Sequence, residues 1–113
     1  MAGQKKGMWV VFKMDKMPTK EEMRARFCEL YHIFRDHPAI ESKCWWVNEE
    51  KLEWGGFYIF KSEEALEEYL KSDLWVKEIP GRWGVKPETT IVDPGPILCK
   101  ETVISPEDSW VTE

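Results

Sequence analysis

Two short segments of this sequence are apolar on both parities, and no other feature constrains the fold as strongly. In Met8-Trp9-Val10-Val11-Phe12-Lys13-Met14, the set Val10, Phe12 and Met14 alternates with Trp9 and Val11; in Leu52 to Lys61, the set Trp54, Tyr58 and Phe60 alternates with Phe57 and Ile59. Runs this short and this rich in β-branched and aromatic residues read as strands. Side chains of a strand alternate between the two faces of its sheet. A sheet made from these segments therefore has two apolar faces, and both require cover.

The chain supplies two helices for that purpose. Thr19, with Glu22 three residues later, fits a capping box, and Met23, Phe27, Leu30, Tyr31 and Phe34 fall on one stripe at helical spacing. Pro38 ends this helix at about Asp36. Ser62 caps a second helix with Ala65, Leu66, Tyr69 and Leu70 on one side and a solvated face of Glu63, Glu64, Glu67 and Glu68 on the other. Its break is predicted near Ser72-Asp73, with a short turn to Ile79 and an end at Pro80-Gly81. Between the helices, Ile40 to Val47 and Leu52 to Lys61 form a hairpin around the polar turn Asn48 to Lys51, and Pro87 and Pro94 bracket a fourth strand, Thr89 to Val92.

The order is βαββαβ. Right-handed crossovers turn it into an α+β, ferredoxin-like fold: a four-stranded antiparallel sheet with both helices on one face. The other face is left open, and a second copy packed sheet to sheet is the economical cover, so a homodimer is expected. The 113 residues make one domain, with a core at about 8–93 and a C-terminal extension at about 94–113. Ile97, Leu98, Val103, Ile104 and Trp110 are too apolar for a solvated tail and are expected to pack on the domain or across the dimer.

Charge and motifs exclude several classes. A formal net charge of -5 has the wrong sign for phosphate neutralisation, so nucleic acid is not an expected partner. The longest apolar stretch, Met8 to Phe12, is far short of a membrane span, and Met1 to Gly7 lacks the apolar region of a signal peptide, which points to a cytoplasmic protein without a membrane partner. Cys28, Cys44 and Cys99 are odd in number and widely spaced, so free thiols are expected. No metal-ligand spacing, phosphate loop or Ser/His/Asp pattern is present, and no metal site is predicted.

At the hairpin the pattern becomes more specific: Pro38, then Lys43-Cys44-Trp45, then Glu53-Trp54-Gly55-Gly56-Phe57-Tyr58-Ile59-Phe60, then Ala65 and Tyr69-Leu70 in the next helix. Over about Asp15 to Asp93 this resembles the YdhR-type mono-oxygenases of the dimeric α+β barrel superfamily. The resemblance implies a homodimer, a pocket in each subunit between helices and sheet, and oxidation of a hydrophobic aromatic small molecule by dioxygen without metal, flavin or other cofactor. A cyclase or lyase on the same scaffold, or a small-molecule-binding dimer with no turnover, are the alternatives.

Oxygenation without a cofactor needs a deprotonated, electron-rich substrate, and hence a base, donors for the oxyanion and a dry aromatic cavity. His37, at the end of the first helix, is the expected base, while His32 falls on the charged side of that helix. Tyr58 shares a face with Trp54 and Gly56, and the glycine leaves space beside it. Trp45 and Trp46 must point to opposite faces, one toward the pocket and one toward the partner. Lys43 shares the parity of Trp45 and is expected to reach solvent at the sheet edge. Arg82 and Trp83, in a turn after the second helix, complete the candidates as an anion contact and a wall residue. The expected catalytic residues are thus His37 and Tyr58, with Trp45, Trp54, Arg82 and Trp83 as substrate contacts.

Overall fold

A computed structural model describes residues 4–96, the side chains of Arg82 and Trp83 excepted. The expected packing of Ile97 to Trp110 and the state of Cys99 lie outside the described residues. The chain runs through β1 (Lys6–Lys13), α1 (Lys20–Arg35), β2 (Ile40–Asn48), β3 (Glu53–Phe60), α2 (Glu63–Lys71), a π-helical turn (Leu74–Glu78), α3 (Ile79–Trp83) and β4 (Glu88–Val92). The four strands form one antiparallel sheet in the order β2-β3-β1-β4, as the βαββαβ reading predicts.

Local chemistry sets the element ends. Thr19 Oγ1 accepts the Glu22 backbone N–H at 3.2 Å, and Glu22 Oε1 accepts the Thr19 N–H at 2.9 Å, closing the capping box that starts α1. Ser62 Oγ accepts from the Ala65 N–H at 3.1 Å and starts α2. In the β2–β3 turn, Asn48 Oδ1 accepts from the Lys51 N–H at 3.1 Å, and Leu52 takes a left-handed φ of 55°, a strained conformation for leucine.

One helix end differs from expectation. Pro80 and Gly81 do not end the helical region; they lie inside α3, which continues to Trp83 and stops at Gly84, whose φ is 75°. The reason is positional. Proline in a first helical turn removes only an N–H that has no intrahelical partner, and just before it the Ile79 N–H bonds back to the Leu74 carbonyl in a wider π turn. A helical segment thereby brings Ile79 onto the core.

That core lies between the helices and one face of the sheet. It joins Met8, Val10 and Phe12 of β1, Trp54, Tyr58 and Phe60 of β3, Met23, Phe27 and Phe34 of α1, Leu66 and Tyr69 of α2, and Ile79. Met8, Met23, Phe60 and Tyr69 are completely enclosed, and each such side chain contributes roughly 1.5–3 kcal/mol. The opposite parity behaves differently: Trp9 is 43% exposed and Val11, Trp46 and Phe57 are half-buried. No helix among the described residues is long and apolar enough to cross a membrane.

Candidate active site

Lys43 and Tyr58 are direct partners in the β2–β3 register, so both side chains leave the helix-facing side of the sheet at adjacent positions. Gly56, on the same face, contributes no side chain. The gap it leaves is filled by the lysine stem, for a Cβ on Gly56 would stand 3.1 Å from Lys43 Cε. Neighbouring Gly55 has a separate reason to lack a side chain: its Cβ would lie 1.8 Å from the Val10 carbonyl oxygen.

The stem delivers the amine beneath α1. Lys43 Nζ lies 3.4 Å from the centre of the Phe34 ring, 4.3 Å from that of Tyr58 and 4.4 Å from that of Trp45. It is 2.8 Å from the Tyr58 hydroxyl, which also accepts a hydrogen bond from Tyr69 at 3.3 Å. The expectation that Lys43 is solvated at the sheet edge is therefore corrected in part: the residue as a whole is half-buried, but α1 packs over the edge strand β2 and the amine itself lies among the rings.

This placement decides the protonation states. Burial pushes the Lys43 amine well below its ordinary 10.5, with no opposing charge to restore it. The ring faces return on the order of 2 kcal/mol to the cation, less than the several kcal/mol lost when an ammonium is dehydrated without a counter-ion. Burial raises both tyrosines; for Tyr58 the Tyr69 hydrogen bond offsets part of the rise, and for Tyr69 the neighbouring Tyr58 adds to it. Burial thus favours the uncharged form of all three groups, an amine and two hydroxyls joined in one chain of hydrogen bonds.

A cavity adjoins this triad. Its walls are Phe12, Trp54 and Tyr58 of β1 and β3, Lys43 and Trp45 of β2, Phe27, Leu30 and Phe34 of α1, and Ile79. Trp54 stacks on Phe12 at 4.1 Å and 3°, and Trp45 stacks on Phe27 at 5.7 Å and meets Phe34 edge-on at 5.5 Å. The cavity is partly open, and its volume is about 20 Å³, room for roughly one water. A ligand ring enters only as wall side chains move.

The sequence-predicted residues divide clearly. Tyr58, Trp45 and Trp54 line the cavity, and Trp46 takes the opposite face, stacked on Trp9 at 5.5 Å and 12°. His37 does not line it. Its Nδ1 accepts the Ala39 N–H at 3.1 Å, its ring meets that of Tyr69 edge-on at 5.4 Å, and burial lowers its pKa. His32 is exposed. Arg82 and Trp83 belong to α3, and the roles expected of their side chains lie outside the described residues. Cys28 and Cys44 are free thiols, and among the described residues no three His, Cys, Asp or Glu side chains group closely enough to hold a metal ion.

Lys43 is the residue that sequence reasoning undervalued. The signal was present in its parity with Trp45, its position across from Tyr58 and the glycine gap next to it. What was missing was the path of α1 over an edge strand.

The family model described as "Putative mono-oxygenase ydhR" matches residues 8–86. The chain belongs to the ydhR family. No curated protein matches it. Among solved structures, SnoaB from Streptomyces nogalater, described as a cofactor-independent oxygenase, superposes with a TM-score of 0.61 at 11% identity, covering 86% of this chain and 99% of its own. The ActVA-Orf6 monooxygenase of Streptomyces coelicolor, solved with the ligand nanaomycin D, gives 0.61 at 17% identity, covering 88% and 94%. A hypothetical Arabidopsis thaliana protein gives 0.52 at 18%, covering 88% and 93%. At these identities the likeness is one of fold, and it covers nearly the whole length of each neighbour.

Proposed function

We propose that this ydhR-family protein is a homodimeric, cofactor-independent mono-oxygenase of a hydrophobic aromatic small molecule, with Lys43 as its base. The observation that carries the reading is the Lys43 amine, its pKa depressed by burial, held 2.8 Å from Tyr58 on the wall of an aromatic cavity. A phenol entering beside it loses its proton to the amine, and the Tyr58 hydroxyl, which stays protonated and accepts from Tyr69 behind it, donates to the resulting oxyanion. The electron-rich anion then gives an electron to dioxygen, the pair closes a C–O bond, and the proton held on Lys43 returns to the peroxide. Loss of water leaves one oxygen atom in the product as a carbonyl. The descriptions of SnoaB and ActVA-Orf6 support this chemistry on this fold.

His37 becomes a positioning residue for Tyr69, and Trp45 and Trp54 are the surfaces on which the substrate ring stacks. Arg82, in α3 with Ile79, remains the proposed contact for an anionic substituent, and Trp83 a proposed wall residue. The face formed by the exposed Trp9 and the half-buried Val11, Trp46 and Phe57 supports the dimer, since an uncovered apolar sheet face is an association surface. The deciding experiment is oxygen uptake by protein free of metal and flavin, with an electron-rich polycyclic phenol. Uptake matched by carbonyl product supports the reading; conversion without oxygen uptake replaces it with the cyclase alternative.

A further inference from the structure

The Lys43 amine has a second capability that does not involve oxygen. Burial favours its uncharged form, it projects from a fixed strand position, and its only hydrogen-bond partner among the described residues is the Tyr58 hydroxyl, itself backed by Tyr69. α1 presents Phe27, Leu30 and Phe34 to the cavity, β1 presents Phe12, β3 presents Trp54 with Tyr58, and the segment after α2 presents Ile79. The titratable groups facing the amine are thus Tyr58 directly and Tyr69 through it. An unprotonated amine paired with a proton donor in a water-poor cavity is the arrangement that carbonyl capture requires.

We propose that Lys43 binds small aromatic or apolar aldehydes and ketones covalently, as an imine, with Tyr58 as the proton donor. The amine lone pair attacks the carbonyl carbon and forms the C–N bond while Tyr58 protonates the carbonyl oxygen; the nitrogen returns a proton to Tyr58. The carbinolamine then expels its hydroxyl as water, and loss of the remaining N–H proton leaves the imine. Amine plus carbonyl becomes imine plus water, with no oxidant consumed. The aromatic wall selects an apolar skeleton, and the amine selects its carbonyl. The inference goes beyond the oxygenase reading, because it assigns a substrate chemistry to Lys43 rather than proton transfer alone.

The test incubates the intact protein at pH 6.5 with propionaldehyde and, separately, benzaldehyde, traps imines with cyanoborohydride, and locates the adducts by peptide mass spectrometry. At this pH an ordinary lysine is almost entirely protonated, so the Lys43 adduct is expected to exceed that on every other lysine by at least tenfold. Tyr58→Phe, with its fold checked by circular dichroism, should slow the Lys43 adduct about tenfold and leave surface labelling unchanged. Lys43 labelled no faster than surface lysines, or not labelled, overturns the inference, as does an unchanged rate in Tyr58→Phe. The two readings fail separately: oxygen uptake that needs Lys43 without any adduct leaves the base and removes the imine, and an adduct without oxygen uptake from any phenol does the reverse.

Discussion

The two faces of the one sheet have nearly the same hydropathy and opposite fates. On the helix side, Met8, Val10 and Phe12 meet α1 and α2 and are at most 3% exposed. On the other side Trp9 is 43% exposed, although it stacks on Trp46 and tilts against Phe57 at 5.9 Å. The inner face completes its packing within the chain; the outer face builds a small aromatic cluster and stops. Hydrophobicity therefore says that a face wants cover, while connectivity decides whether the cover comes from the same chain. The polar residues follow the same division: the amine of Lys43 is enclosed on the helix side, and the exposed Cys44 beside it in sequence is on the other.

The largest expected effect is on turnover. If the inner face carries the chemistry, Lys43→Met and Lys43→Arg lower oxygen uptake by roughly 10²–10⁴, while His37→Ala lowers it less than about tenfold because His37 does not line the cavity. Rate against pH sharpens this. Because the folded amine is depressed, the rate should rise with pH through a midpoint below that of an ordinary lysine, and the midpoint should not move among phenols of different acidity. A midpoint that follows the substrate removes Lys43 as the base.

Packing comes next. Phe12→Ala should cost about 3–5 kcal/mol by chemical denaturation, whereas Trp9→Ala should cost less than about 1.5 kcal/mol at concentrations where the protein is monomeric. Equal losses would mean that the outer face is packed within the chain and needs no partner. Association is the complement of that measurement. Sedimentation should show twice the chain mass for the wild type at micromolar concentration and a monomer for Phe57→Asp, because a carboxylate on a covered apolar face is left without a partner. A monomeric wild type breaks the dimer proposal.

The smallest effect has an unusual sign. Between its depressed folded value and the ordinary unfolded value near 10.4, the Lys43 amine is neutral in the folded chain and protonated in the unfolded one. Stability then rises with pH across that window and is lost as pH falls through the folded value. Lys43→Met should abolish this slope and raise stability at neutral pH by roughly 1–3 kcal/mol, the opposite of its effect on turnover. Destabilisation by Lys43→Met would mean that the amine is charged and paired in the native state.

By itself the sequence determined the βαββαβ order, the capped starts of α1 and α2, the stripe led by Met23, Phe27 and Phe34, and the two-sided apolarity of the sheet. These follow from local periodicity and capping, which depend on residues within a few positions of one another. The division of Trp45 and Trp46 between faces was also legible, though not which went where. Tertiary structure alone decided that α1 lies over the edge strand and places the Lys43 amine among rings, that Gly56 makes room for its stem, that His37 meets Tyr69 and not the cavity, and that Pro80 opens a helical segment. Each depends on which element lies above which. A lysine stem can lie along apolar surface anywhere, but its amine loses water only where other elements pack around it, and that is a property of three-dimensional packing.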